Sequence, residues 1–213
     1  MTILSFPSGK KKSFCLICLV LCFSISQLAT AQIVSWSPLF PTADDVITIT
    51  FDATQGTGGL EGCPPPVYLH SGVITDQSTS PTDWQHVPTQ WGVANSNWEM
   101  TPLGNNLHEI TYHIRSFYNI PENEEVLQLA FVFRNADGSK EGKETGGLDI
   151  YTPVYSAAEA FQATFTAPVE RPYFGQLEES FDIGVETSQD ATIDLYIDNV
   201  LVTTGQGTSL TYE

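Results

Sequence analysis

Cysteine and positive charge are both scarce in this chain, and each shortage closes off a class of function. Of four cysteines, Cys15, Cys18 and Cys22 fall in the first thirty-one residues, which leaves Cys63 alone in the remainder. A single thiol cannot build a disulfide framework, so the fold has to rest on a hydrophobic core. Cys63 precedes Pro64, Pro65 and Pro66 and has no histidine near it in sequence, which reads as a loop cysteine rather than a nucleophile. The 8 lysines and arginines face 25 acidic residues, for a formal net charge of −17. Phosphate binding needs clustered cations, so nucleic acid is excluded as a partner. No Gly-x-Ser-x-Gly elbow and no phosphate-binding loop occurs, which removes the commonest hydrolase and nucleotide signatures.

The amino terminus has the layout of an export signal. Lys10, Lys11 and Lys12 precede an apolar run from Phe14 to Ile25 that is too short to span a membrane comfortably, and Ala29-Thr30-Ala31 supplies small residues for cleavage. Residues 1–31 are therefore set aside as a signal peptide cleaved after Ala31. The mature chain starts at Gln32, secreted or held at the cell surface. Cys22 invites a lipoprotein reading, but the residue before it is the bulky Leu21. Removing the signal takes three of the eight cations with it, and the formal charge of what remains becomes 5 − 25 = −20. Such a surface repels polyanions and imposes no penalty on neutral ligands such as glycans. No apolar stretch after Ala31 approaches membrane-spanning length.

Period-two patterning dominates the rest. In Ile47-Thr48-Ile49-Thr50-Phe51 the apolar residues share one face and the threonines the other, as in a half-buried strand. The same reading predicts strands at Ile33–Trp36, Val67–Ile74, Leu107–Ile114 after a Gly104-Asn105-Asn106 turn, Val126–Arg134 and Leu148–Val154. In Val126–Arg134 it places Leu127, Leu129, Phe131 and Phe133 on one face. A helical turn is expected around Ser116–Asn119, ended by Pro121. Six or seven short strands imply an all-β, immunoglobulin-like antiparallel β-sandwich over residues 32–155. Small and polar residues then suggest a linker at 156–166. Alternation resumes with Phe181, Ile183 and Val185, then Ile193, Leu195 and Ile197, then an Asp198-Asn199 turn into Val200-Leu201-Val202. About four strands are expected in 167–213, too few to close a sandwich, so this segment reads as the start of a second, truncated immunoglobulin-like domain.

The stretch from Tyr68 to Trp98 is the densest candidate for function. It holds Trp84, Trp91 and Trp98 with Tyr68, His70, His86 and many short amides and hydroxyls. Sugar rings present apolar C–H faces and hydroxyl rims, and a site for them combines flat aromatic plates with such polar groups. Trp36, in an opening strand, reads as core, whereas for Trp84 and Trp91 core and exposure both stay open. Other chemistries fit less well. His108, Glu109 and His113 lack the spacing of a metalloprotease helix, and residues an odd number apart on a strand face opposite ways. Asn135-Ala136-Asp137-Gly138-Ser139 lacks the distal glutamate of a calcium loop and predicts a hairpin turn. The acidic groups Asp44-Asp45 and Glu122, Glu124, Glu125 read as solvated charge. No cofactor or metal is called for.

Several strings carry a family resemblance. Thr48-Ile49-Thr50-Phe51-Asp52-Ala53-Thr54-Gln55-Gly56, Val67-Tyr68-Leu69-His70-Ser71-Gly72-Val73-Ile74-Thr75, Asp83-Trp84, Trp91-Gly92, Ile114-Arg115-Ser116-Phe117-Tyr118 and Leu129–Gly138 occur in that order. Together they resemble the N-terminal immunoglobulin-like, starch-binding or accessory modules of secreted Bacteroidetes-type alpha-amylase family glycoside hydrolases. The resemblance covers about Ile33 to Tyr155. It implies binding of an alpha-glucan polysaccharide, with stacking at Tyr68, Trp84 and Trp91 and a hydroxyl partner in His70. It also implies a downstream catalytic barrel that is missing here, so no catalytic residue is assigned in this chain. The competing expectation is a structural spacer or adhesin-like sandwich that mediates protein contacts.

Overall fold

The computed structural model describes residues 32–156, 161–168 and 180–213. The expected signal peptide at 1–31 lies outside them, as do 157–160 and 169–179 of the expected linker and second domain.

Among the described residues, eleven strands, all antiparallel in their pairings, make up three sheets. In the first sheet the order is β1 (Val34–Ser37), β2 (Val46–Asp52), β5 (Leu107–His113), β4 (Thr101–Gly104). In the second, β3 (Tyr68–Thr75) pairs with β6 (Val126–Arg134), whose other edge takes β7 (Glu141–Gly142) and then β8 (Ile150–Pro153). The chain is an all-β protein, and these two sheets form a sandwich. Alternation in β2 buries Ile47, Ile49 and Phe51, which meet Leu69 and Val73 of β3 and Leu129, Phe131 and Phe133 of β6 in one core. Phe51 stacks on Phe133 across the layers at 4.0 Å between ring centres. Trp36 is half-buried against the same core, as the opening-strand reading expects.

A short α-helix, α1 (Ile114–Tyr118), follows β5 directly and packs its Ile114 and Tyr118 into the core. It starts two residues before the expected turn because the His113 side chain caps it, and Asn119 ends it in the left-handed conformation at φ 53°. Its Tyr118 phenol reaches Ser71 Oγ at 2.5 Å, Ser71 Oγ donates to Ala130 O at 2.7 Å, and Tyr112 OH stands 3.0 Å from Tyr118 OH. This buried chain of hydroxyls ties helix, first sheet and second sheet together with its polar groups satisfied.

Several expectations need correcting. Leu127 is 43% exposed and does not share a face with Leu129, Phe131 and Phe133. The pairing jumps from Ile74↔Gln128 to Thr75↔Val126, so Leu127 is the extra residue of a bulge and drops out of the alternation. Strand β4 was not expected. Its four residues are all exposed and give no periodic signal, and it is formed by the Asn105-Asn106 turn, where both residues have positive φ (50° and 64°). The expected linker at 156–166 contains most of strand β9 (Ala163–Ala167). The two strands expected around Phe181–Val185 and Ile193–Ile197 are one strand, β10 (Ile183–Ile197), continuous through a register break between Glu186 and Ala191. It turns at Asp198-Asn199 into β11 (Val200–Tyr212), so the third sheet has three strands among the described residues rather than about four. No helix among the described residues is long and apolar enough to cross a membrane.

Candidate functional site

Strands β3 and β6 are buried on both faces, which the sandwich core alone does not explain. The excursion from Asp76 to Met100 covers them. It first runs along the free edge of β3, where Gln85 exchanges backbone hydrogen bonds with Val73 (3.0 and 2.7 Å), Ser71 N donates to Thr89 Oγ1 (3.1 Å), and Met100 N donates to Val67 O (2.9 Å). An open strand edge is thereby closed. The segment before Trp84 is set by Asp83, whose carboxylate accepts from Thr79 N and Oγ1 at 2.8 Å each and is held below its usual pKa by those bonds. Past it, His86 Nε2 meets Glu124 Oε2 at 2.9 Å. Trp84 and Trp91 are thus delivered onto the outer face of the second sheet by a segment anchored at many points.

On that face His70 of β3 and Val132 of β6 stand opposite each other in register. They lie in an open concavity of about 310 Å³ lined also by Thr82, Trp84, Trp91, Lys143 and Asp149. The His70 ring is 5.9 Å from Trp84, tilted by 35°, and 5.1 Å from Trp91, edge to face at 85°. Its Nδ1 is 2.8 Å from Thr89 Oγ1. Burial pulls the His70 pKa below its ordinary value, the Arg134 charge acts the same way and Asp149 opposes, so the ring is neutral at neutral pH. Trp84 Nε1 donates to Tyr151 OH at 3.4 Å, which fixes the plane of that indole. Lys143 Nζ lies 3.5 Å from Asp149 Oδ1 and 3.9 Å from Glu141 Oε1. These last residues meet because β7 leaves β6 after Gly142, turns through Gly146 and Gly147 at positive φ, and returns as β8.

Of the four residues expected to bind sugar, the fold brings His70, Trp84 and Trp91 together. Tyr68 is elsewhere. It is 4% exposed, its ring lies 5.2 Å from the Arg134 guanidinium, and its hydroxyl contacts Glu99 Oε2 at 3.4 Å. A ring covered in this way is closed to stacking, and burial pushes its pKa up. Trp91 is 42% exposed, so of the two alternatives left open by the sequence it takes exposure, whereas Trp84 is intermediate between core and surface. Sequence reasoning passed over Val132, Lys143 and Asp149, and it passed over Arg134. An arginine closing the apolar run Leu129–Phe133 was a visible signal. Lys143 and Asp149 gave none, because only the splayed edge of β6 unites them.

The other candidates fall into structural roles. His108 is buried beside Phe51, and His113 caps α1. Asn135–Ser139 forms the β6–β7 turn, with Lys140 N donating to Asn135 Oδ1 and Ser139 N to Asp137 Oδ1. Asp44 and Glu122–Glu125 share a second open concavity of about 280 Å³ with Arg115, whose Nε pairs with Asp44 at 2.6 Å. Among the described residues no three His, Cys, Asp or Glu side chains converge as a metal site requires.

Fold and groove define a class: an antiparallel β-sandwich with a solvent-open aromatic groove on one outer face. Residues 34–141, 108 of the 213, match the model of the family described as Domain of unknown function (DUF8578), and the chain belongs to that family. The match takes in His70, Trp84, Trp91 and Val132 and stops short of Lys143 and Asp149. No curated protein matches the chain.

Proposed function

We propose that this chain is an exported, non-catalytic carbohydrate-binding module that takes a neutral, starch-like alpha-glucan in the groove between Trp84 and Trp91. The observation that carries this reading is the convergence of two indoles, a neutral imidazole and the Lys143–Asp149 pair on one open face. Indole faces suit the C–H faces of a sugar ring, and the ammonium and carboxylate supply a donor and an acceptor for hydroxyls beside them. An open, shallow groove suits a polymer that passes over it rather than a small molecule that must be enclosed. The alpha-amylase-type resemblance adds the context: a module that tethers a downstream hydrolase to its substrate and raises the local substrate concentration.

One observation favours the second reading, a spacer or adhesin that contacts other proteins. The β10–β11 hairpin carries Tyr196, Ile197, Val200 and Leu201 around its turn at 57, 46, 65 and 50% exposure. Affinity electrophoresis of the chain from Gln32 onward, in gels containing starch, cellulose or xylan, separates the two. Retardation in starch without release of reducing sugar is expected. Equal mobility in all three gels would leave the spacer reading standing instead.

A further inference from the structure

Arg134, at the end of β6, is 0% exposed and has no ion-pair partner among the described residues. Its Nη1 donates to Asn135 O and Ala136 O at 2.9 and 3.0 Å, and its Nη2 to Gln90 O and Val93 O at 3.1 and 2.6 Å. Nε has no partner. A buried charge without a carboxylate is costly, and an apolar residue would fill the same space more cheaply. What an apolar residue cannot do is bridge two loops through a rigid planar fork. Here the two loops are the one that carries Trp91, gripped at the carbonyls of Gln90 and Val93, and the β6–β7 turn, gripped at Asn135 and Ala136.

The Trp91 ring is held by the same elements. The guanidinium carbon lies 5.9 Å from the ring centre. On the turn, Gly138 is so close that a Cβ added there would stand 2.5 Å from Trp91 Nε1. We infer that Arg134 is a positioning residue: its guanidinium joins the Trp91 loop to the Gly138 turn and holds Trp91 as a pre-formed platform in the groove. A platform ordered before the ligand arrives spares the entropy of ordering it on binding. The ligand-binding half of this inference rests on the glycan reading, whereas the ordering of Trp91 does not.

The test uses the chain from Gln32 onward labelled with 5-fluorotryptophan, with resonances assigned by single Trp→Phe variants. Arg134→Lys keeps the charge and loses the fork. It is expected to shift and broaden the Trp91 fluorine signal and raise its accessibility to acrylamide, with the Trp36 and Trp84 signals unchanged. Retention in starch gels should fall about as far as in Trp91→Ala. An unaltered Trp91 signal in folded Arg134→Lys overturns the inference, and so does equal broadening of all tryptophan signals, which marks a general structural role. Where Arg134→Lys does not fold, the wild-type guanidinium decides. Separate, slowly exchanging Nη resonances are expected from a fork fixed on four carbonyls, and one averaged, fast-exchanging signal overturns the proposal. Absence of starch binding in a wild type with an ordered Trp91 counts against the glycan reading alone.

Discussion

A methyl group added at Gly72 of β3 would stand 3.1 Å from Trp84 Cβ, 3.1 Å from Gln85 O and 2.9 Å from Val87 Cγ2. The excursion lies on the sheet because this position has no side chain. Val87 could rotate away, but Gln85 is tied by its backbone to Val73 and cannot give. Gly72→Ala is therefore expected to destabilise by about 1–3 kcal/mol through overpacking and to disturb Trp84. Urea unfolding followed by tryptophan fluorescence measures both. Wild-type stability with unchanged emission would mean that the segment is not seated on β3.

The tryptophans should separate by burial. Trp91, 42% exposed, and Trp84, intermediate, are expected to lose glycan affinity on replacement by alanine, by about 1–3 kcal/mol each. Trp36 is packed against the core, its indole donating to Leu39 O at 3.1 Å, and its replacement should cost stability without changing affinity relative to the folded fraction. Starch-gel mobility and thermal melts on the three variants give the comparison. Loss of binding in Trp36→Ala at unchanged stability would contradict this division.

How far the fold was legible follows from what alternation can report. Val34, Ile47, Ile49 and Phe51 alternate because one face of their sheet meets the core and the other does not, so their strands could be read directly. The same alternation reads β3 as half-buried, whereas it is buried on both faces, and His70, Ser71 and Gly72 in its middle give no sign of the second cover. The cover is a stretch with almost no regular structure, whose only helical piece is Ser96–Trp98, and its aromatic density marked it as important without showing where it lies. Tyr68 and His70 illustrate the limit. Both point to the outer face two residues apart, yet the Arg134 guanidinium covers one while the other opens onto the groove. Lys143 and Asp149 meet only through a break in edge pairing that no local pattern encodes.

Stability should fall in two stages as the solution is acidified, the buried histidines first and the hydrogen-bonded aspartates later. His70 and His108 both have pKa values pushed down by burial, so the unfolded chain takes up protons near the ordinary value of 6.5 before the folded one does. More protons on the unfolded state means that stability rises with pH, so their contribution is whole above about pH 6.5 and is lost as pH falls below it. Asp83 and Asp137 are depressed by hydrogen bonds from Thr79 and Ser139, and their contribution is lost only below the ordinary value of 3.8. Melting temperature measured from about pH 8 down to 5 should therefore decline within the histidine window. His108 is 4% exposed with Nδ1 unpaired, so His108→Phe should flatten that decline. An unchanged slope would place the titrating group elsewhere.

The charges around the groove decide which glycans it accepts. Lys143 faces Asp149 and Glu141, the buried Arg134 lies behind Trp91, and His70 is neutral, so two cations balance two carboxylates on a chain whose overall charge is strongly negative. A balanced site exerts little long-range pull, so affinity for a neutral glucan should change less than about two-fold between 50 and 500 mM salt. Asp149→Asn keeps the size of the side chain but removes its charge, which frees the Lys143 ammonium and weakens the acceptor for a sugar hydroxyl. Hydrogen bonds to charged groups contribute about 1 to 1.5 kcal/mol more than those to neutral ones, so a loss of roughly ten-fold in affinity for the neutral glucan is expected. The same variant should gain salt-sensitive binding to a uronate-containing polymer, since the excess cation then attracts carboxylates. Calorimetry of wild type and Asp149→Asn against maltooligosaccharide and oligogalacturonate, at both salt concentrations, reads all of these effects. Tight, salt-sensitive binding of the uronate by the wild-type chain would show that Lys143 is not neutralised by its partners, and would turn the assignment from neutral to acidic glycans.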